Sequence, residues 1–248
     1  MIAAAWPAGY ALLEFDEIDS TNEEARRRAG AGEKGPLWII ARRQTSGRGR
    51  RGRAWQSANG NLAATLLLRP DKPASECAQL SFAAALAVSD MAAAFAPQAD
   101  IALKWPNDVL ASGRKLAGIL LESESGADGR AAWLAAGIGV NLAVYPDDTE
   151  FPATALAEHG VLPPEPKDAL LHLAAAFAKW YEIWRAQGFL PLRETWLSRA
   201  AGLGTRIRAR LANEEITGVF LGIDESGALM LGLSGGNTKI ISAGEVFF

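Results

Sequence analysis

Apolar and polar positions follow two different periods along the chain. In the first 142 residues, short apolar runs bounded by Gly, Pro, Asn and Asp predict β-strands. They occupy residues 12–19, 37–44, 61–70, 100–106, 115–125 and 131–142. Only the polar turn "GADGR" separates the last two runs, so we expect them to pair as neighbouring strands.

Segments with helical spacing lie between and after these strands. They occupy residues 20–31, 75–96, 168–189 and 190–200. In the first, Ser20 or Thr21 can cap the helix, and Glu23 or Glu24 lies three residues later as a capping box requires. The second is Ala-rich and apolar on most faces, which predicts a buried helix.

After Gly202 the pattern changes to strict alternation of apolar and polar residues. Turn residues interrupt the alternation, which predicts four or five short strands in a small β-barrel. We therefore expect an α+β fold: a catalytic domain on a mixed sheet over residues 1–200, then a small barrel over residues 201–248.

Composition and charge exclude several classes of protein. The 248 residues carry a formal charge of −3, whereas a general nucleic-acid binder is usually basic. We find no run of about 20 apolar residues that could span a membrane and no basic region of a signal peptide, so a soluble cytoplasmic protein is expected. Cys77 is predicted to be an inert buried thiol, and His159 and His172 show no zinc-ligand pattern.

Positive charge is concentrated in the segment "QTSGRGRRGRAW" (44–55). Residues 42–53 carry six arginines, and no acidic residue occurs from Lys34 to Pro70. Glycines let a backbone approach an anion closely, and arginines add forked donors for carboxylate or phosphate. "GRGRRG" fits a dinucleotide fingerprint poorly, because turn residues and a strand follow it instead of a helix. An RNA-binding loop and a solvated basic hairpin remain as alternatives.

Glycines also interrupt two of the predicted strands. Gly118 lies in "KLAGILL", and Gly137 and Gly139 share one face of the next strand because the side-chain period is two. Small residues on adjacent strands predict a slot in the surface of the sheet. Alternatively, they admit a helix packed above the sheet.

Five motifs in order give the chain its resemblance to a known family. They are "DSTN" (19–22), "QTSGRGRRGRAW" (44–55), "KWPND" (104–108), "KLAGILLE" (115–122) and "GIGVN" (137–141). In order and approximate spacing they resemble the bacterial biotin protein ligases over almost the whole chain, and "LGIDESGALML" with "ISAGEV" resembles the family's SH3-like barrel. One departure is Ser57-Ala58, where family members often have Ser-Pro. Eighteen residues precede "DSTN", too few for the DNA-binding domain of repressor-type members, so the resemblance implies a ligase without repressor function.

The resemblance implies a two-step reaction. Biotin and ATP give biotinyl-5′-adenylate and pyrophosphate, and a lysine of a biotin carboxyl carrier protein then attacks the mixed anhydride and expels AMP. It implies Mg²⁺ with the ATP and no DNA or membrane partner. Family members are often homodimers, but no residue of this chain requires a dimer. A lipoate–protein ligase of the same fold is the nearest alternative.

The resemblance also assigns roles to residues. Lys115, Arg48 and Arg50 are the catalytic candidates, and Lys104 is interpreted as structural support for the turn at Pro106. The biotin-binding candidates are Ser20, Thr21, Asn22, Gln44, Arg48, Gly49, Arg50, Lys115, Gly118, Gly137 and Gly139. The nucleotide-binding candidates are Arg50, Trp55, Asn107 and Asn141. Asp108 is the first candidate for a Mg²⁺ ligand and Glu122 a weaker one, since Mg²⁺ uses one or two carboxylates.

Overall fold

A computed structural model describes residues 4–248 of the chain. Its larger sheet has seven strands in the order β1-β2-β3-β7-β6-β5-β4. The strands are β1 (Ala11–Ile18), β2 (Leu37–Gln44), β3 (Leu62–Leu68), β4 (Ile101–Lys104), β5 (Asp108–Ala111), β6 (Arg114–Ser125) and β7 (Ala131–Val140). Only β1 and β2 run parallel, so the sheet is mixed. The predicted α+β class is confirmed, although β5 was missed in the sequence.

Helices cover both faces of this sheet. They are α1 (Thr21–Gly30), α2 (Ala74–Cys77), α3 (Leu80–Phe95), α4 (Pro166–Gln187) and α5 (Leu190–Ser198). Helix α1 packs Ala25 and Ala29 against Ile39 and Leu67 on one face, while α3 and α4 bury the larger core on the other. The cavity described below lies on the face of α1.

The buried helix predicted over residues 75–96 differs from expectation in two ways. It divides into α2 and α3, because backbone N–H groups such as that of Gln79 bond three residues back instead of four. The segment Ala74–Phe95 is also long and apolar enough to cross a bilayer, which corrects the expectation that no such run exists. However, 67% of the apolar 18-residue stretch within this segment is buried in the protein, as in a core helix.

Five antiparallel strands form the C-terminal sheet, in the order β11-β10-β9-β8-β12. They are β8 (Arg206–Arg210), β9 (Glu215–Ile223), β10 (Leu229–Gly232), β11 (Thr238–Ile241) and β12 (Glu245–Phe247). This agrees with the alternation seen after Gly202. The exact boundary at residue 201 stays a prediction, because buried residues of this sheet and of α3 belong to one continuous hydrophobic cluster.

Aromatic contacts fix the C-terminal sheet against the rest of the chain. Phe220 of β9 packs edge-on against Trp196 of α5, whose ring meets Phe82 of α3 at 5.3 Å between centroids. The backbone before β8 adds hydrogen bonds, since Ala201 N–H donates to the Leu103 carbonyl of β4. These contacts bring β12 to the edge of the cavity.

Candidate active site

A cavity of about 410 Å³ opens beside the N-terminus of α1. Its walls come from β3, β6 and β7, the Gly/Arg loop, the β4–β5 turn, the segment after β7 and strand β12. Of the residues assigned a role in the sequence, all but Glu122 line it: Ser20, Thr21, Asn22, Gln44, Arg48, Gly49, Arg50, Trp55, Lys104, Asn107, Asp108, Lys115, Gly118, Gly137, Gly139 and Asn141. The individual roles stay predictions.

The start of α1 is held by long-range bonds and not by a helix cap. Ser20 occupies the N-cap position with extended backbone but makes no side-chain cap hydrogen bond, which corrects the predicted capping box. Instead, the backbone N–H and hydroxyl of Thr21 lie 2.8 and 3.0 Å from Gln44 Oε1. Gln44 Nε2 donates in turn to Ser57 Oγ at 2.9 Å. The hydroxyl of Ser20 is therefore left for a ligand.

Asn22 fills the space above Gly137. A Cβ on that glycine would lie 2.2 Å from Asn22 Oδ1. The amide is fixed on both sides, since Thr65 donates to Oδ1 at 2.6 Å and Nδ2 donates to Glu122 Oε2 at 2.7 Å. Gly137 is therefore required for the packing of Asn22.

Trp55 of the Gly/Arg loop fills the space above Gly139. A Cβ there would lie 2.2 Å from the indole, and one on Gly118 would lie 3.2 Å from it. The register pairs Gly118 with Gly139, so the two glycines are neighbours as predicted. The expectation of an open slot above the three glycines is wrong in this structure, because Asn22 and Trp55 occupy it.

Carboxylates of the protein hold the outer arginines of the loop. Arg48 pairs with Glu23 of α1 and, at 3.3 Å, with Glu122 of β6. Arg51 and Arg53 both pair with Glu245 of β12. The loop is thereby tied to both sheets.

Arg50 points inward, unlike its neighbours. Its guanidinium donates to Asn107 Oδ1 at 3.2 Å and to the Gly244 carbonyl at 3.4 Å. Burial and the nearby Arg51 lower its pKa, but an arginine stays charged at any pH of interest. Arg50 therefore brings a partly buried positive charge to the cavity, and no carboxylate among the described residues pairs with it directly.

Asp108 lies between two lysines. Its Oδ1 is 2.7 Å from Lys115 Nζ and its Oδ2 is 3.6 Å from Lys104 Nζ. Both carboxylate oxygens thus face ammonium groups, which argues against the predicted role of Asp108 as a Mg²⁺ ligand. Across residues 4–248, no three His, Cys, Asp or Glu side chains are grouped to hold a metal.

Lys104 is almost completely buried beside this carboxylate. Its ammonium lies 3.7 Å from the centroid of Phe151 and 5.7 Å from that of Phe247. Burial lowers the pKa of Lys104, while Asp108 opposes that shift. Lys115 reaches further into the cavity, 5.9 Å from the Trp55 ring centroid.

The two predicted nucleotide-binding asparagines have structural bonds. Asn107 Nδ2 donates to the Ile119 carbonyl at 2.6 Å, and Asn141 Nδ2 donates to the Thr154 carbonyl at 3.1 Å. The second bond ties the segment after β7 to the cavity, where Phe151 forms part of the wall. The segment also pairs with β6 through Lys115 and Ala153.

Several residues of the site were missed in the sequence. They are Thr65, Phe151, Glu245 and Phe247. Thr65 is the single polar residue in the apolar run of β3, and that was the only sequence signal for it. Glu245 and Phe247 are distant in sequence from the other site residues. No sequence signal could have found them, because only the packing of the C-terminal sheet brings them to the cavity.

Comparison with known families gives two matches. Residues 14–141 match the Biotin/lipoate A/B protein ligase family, and residues 202–248 match the Biotin protein ligase C terminal domain. The first match runs from within β1 to the end of "GIGVN", which includes all the predicted site residues.

Individual relatives agree with these matches. A Biotin--[acetyl-CoA-carboxylase] ligase of Paracoccus denitrificans is 48% identical over 93% of this chain and 97% of its own length. A Biotin--[acetyl-CoA-carboxylase] ligase of Mycobacterium tuberculosis is 35% identical over 96% of this chain and 90% of its own length. The solved biotin protein ligase of Aquifex aeolicus in complex with biotin and ATP superposes with a TM-score of 0.81 at 29% identity, covering 96% of this chain and 97% of that one. The chain therefore belongs to the biotin/lipoate A/B protein ligase family, and within it to the biotin protein ligases.

Proposed function

We propose that this protein is an ATP-dependent biotin protein ligase. It activates biotin as biotinyl-5′-adenylate and transfers the biotinyl group to one lysine of a biotin carboxyl carrier protein. The similar ligase of Aquifex aeolicus was solved with biotin and ATP, which favours biotin over lipoate as the acid that is activated.

One observation carries the proposal. Arg48, Arg50 and Lys115 line the same cavity as the neutral polar side chains at the start of α1. Biotin has an uncharged ureido ring at one end and a carboxylate at the other, so a site for it needs these two kinds of surface. The cavity supplies both.

The cationic residues address the difficulty of the first step. A carboxylate must approach the α-phosphate of ATP, although both groups are negatively charged, and further negative charge moves to the pyrophosphate as the bond breaks. Fixed positive groups stabilise that charge distribution more strongly than water does. We assign this role to Lys115, Arg48 and Arg50, with Gly49 letting the loop backbone approach the anions.

The nucleotide is assigned to the side of the cavity formed by the β4–β5 turn and the segment after β7. Asn107 and Asn141 lie there, and Trp55 offers a flat ring for stacking. Mg²⁺ accompanies ATP and is held chiefly by its phosphates. The described residues do not fit a dedicated metal site, because both oxygens of Asp108 face lysines.

The second step needs access for the acceptor lysine. Its amine attacks the acyl carbon of the mixed anhydride, and AMP leaves. We assign its entry to the side of Arg48, which lines the cavity and is partly exposed where it pairs with Glu23 and Glu122. A cytoplasmic location and a homodimer complete the proposal, as the family resemblance implies.

The test is mass spectrometry of a biotin-acceptor domain incubated with the protein, ATP, Mg²⁺ and biotin. We expect an added biotinyl group on one lysine, and no addition when the acceptor lysine is replaced by arginine. Calorimetric titration with biotin and with lipoate tests the choice of acid. Tight lipoate binding without biotin binding would overturn it.

A further inference from the structure

Glu122 touches two parts of the site that are far apart in sequence. It lies on β6, and its side chain is about one third exposed, at 35%. Oε2 accepts a hydrogen bond from Asn22 Nδ2 at 2.7 Å, and Oε1 lies 3.3 Å from Arg48 Nη2. One carboxylate thus joins the start of α1 to the Gly/Arg loop.

This contact fixes which way the Asn22 amide points. An ionised carboxylate only accepts hydrogen bonds, so the amide nitrogen and not its oxygen must face Glu122. The second hydrogen of Nδ2 points to the Leu120 carbonyl at 3.4 Å, and Oδ1 already accepts from Thr65. The atom that Asn22 has left for a ligand is Oδ1, through its second lone pair.

Gln44 has the opposite polarity. Its Oε1 accepts from both the N–H and the hydroxyl of Thr21, and one hydrogen of Nε2 goes to Ser57. Its other amide hydrogen remains to donate. Asn22 therefore offers an acceptor and Gln44 a donor to the same cavity.

We propose that Glu122 is a positioning residue that sets Asn22 as an acceptor for a ligand N–H and holds Arg48 of the Gly/Arg loop beside the cavity. The inference rests on the proposed function. A ureido ring carries N–H donors and one carbonyl acceptor, so it matches the pair formed by Asn22 and Gln44. The dithiolane ring of lipoate has neither group, and it would leave both amides unpaired.

The polarity can be exchanged without changing the size of either side chain. In Asn22→Asp alone, the new carboxylate faces that of Glu122, which loses the N–H donor of Asn22. Biotin should therefore bind about 10- to 100-fold more weakly. Glu122→Gln alone keeps an acceptor for Asn22 but removes the charge facing Arg48, and should weaken binding only about 3- to 10-fold. In the double variant, the new amide on β6 donates to one oxygen of the new carboxylate on α1. The other oxygen of that carboxylate is again an acceptor for the ligand.

The experiment measures the biotin Kd of the four proteins by calorimetry, with the melting temperature of each. We expect the double variant to bind within about threefold of Glu122→Gln, so that the second change rescues the first. If Asn22→Asp weakened biotin binding by the same factor in the wild type and in Glu122→Gln, the proposal would be overturned. Wild-type affinity in Glu122→Gln and Asn22→Asp alike would also overturn it.

Glu124→Gln provides the matched control. Glu124 lies two residues along the same strand face, and its Oε2 accepts at 2.8 Å from Nε1 of Trp133, which does not line the cavity. Its biotin Kd should stay within about twofold of the wild type. A loss as large as that of Glu122→Gln would assign the effect to strand charge and overturn the proposal. Wild-type protein that binds no biotin would instead overturn the proposed function itself.

Discussion

Lys115 and Lys104 share the carboxylate of Asp108, but water reaches them to different degrees. The Lys104 side chain is 6% exposed and that of Lys115 is 28% exposed. The buried lysine is held by aromatic rings and the carboxylate, while the other can approach a substrate. Removal of Lys115 therefore takes a cation from the cavity and still leaves Asp108 a partner.

Lys115→Ala should lower the rate of adenylate formation by about 100- to 1000-fold, since a fixed group that stabilises the transition state is lost. The measurement is pyrophosphate release with biotin and ATP. The melting temperature of Lys115→Ala should change by only a few degrees. Lys239→Ala, on an exposed strand of the C-terminal sheet, serves as the control. Wild-type pyrophosphate release in Lys115→Ala would refute the assignment.

Gly139→Ala should displace Trp55 from the sheet, because the new methyl group would lie 2.2 Å from the indole. The loop should then be cut faster by trypsin at its arginines, as Trp55→Ala alone should also show. Gly30→Ala is the matched control, since none of the described neighbours lies within 4 Å of a Cβ there. Trypsin cleavage at the wild-type rate in Gly139→Ala would show that Trp55 does not anchor the loop.

The start of α1 combines site residues with a surface ion pair. Arg27 donates through both terminal nitrogens to Asp19 at 2.8 Å, and this contact lowers the pKa of Asp19 from 3.8 to about 2. A carboxyl with a lowered folded-state pKa stabilises the fold above its unfolded pKa. That stabilisation is lost as pH falls through the folded value.

Asp19→Asn should therefore lower the free energy of unfolding at pH 6, by less than about 1 kcal/mol because the pair is exposed. The difference from the wild type should shrink between pH 4 and pH 2, as Asp19 itself becomes protonated. Urea unfolding at a series of pH values measures this. Asp16→Asn is the control, since its pair with Arg42 is 3.6 Å long and highly exposed. A difference independent of pH would contradict the assignment.

The elements that were predicted correctly have strong local patterns. β2 and β7 are long apolar runs, and α4 has helical spacing over 22 residues. β5 has only four residues and follows a Pro-containing turn, so its pattern was too short to recognise. The positions of Trp55 and Asn22 could not be predicted either, because a side chain from one element fills a space left by a glycine on another.

At the scale of the whole molecule, the C-terminal sheet shares its core with the rest of the chain. Phe220 is 2% exposed and contacts Trp196, whereas its neighbour Val219 is 38% exposed. A shared core couples the unfolding of the two parts.

Phe220→Ala should lower the free energy of unfolding by about 3–5 kcal/mol, because it removes a buried ring and leaves a cavity. We expect calorimetry to show a single transition at a lower temperature, with Val219→Ala close to the wild type. Two separate transitions, with only one of them shifted, would show that the C-terminal sheet unfolds independently.

Five of the six arginines between residues 42 and 53 are paired with carboxylates of the same chain. A long polyanion passing over this loop therefore meets little uncompensated charge, which is unfavourable for general RNA adsorption. A small acid that enters the cavity instead meets Arg50, whose guanidinium contacts only the neutral oxygens of Asn107 and Gly244. The loop thus presents a largely neutral outer surface to a bulky polyanion and a positive charge to a small acid inside the cavity.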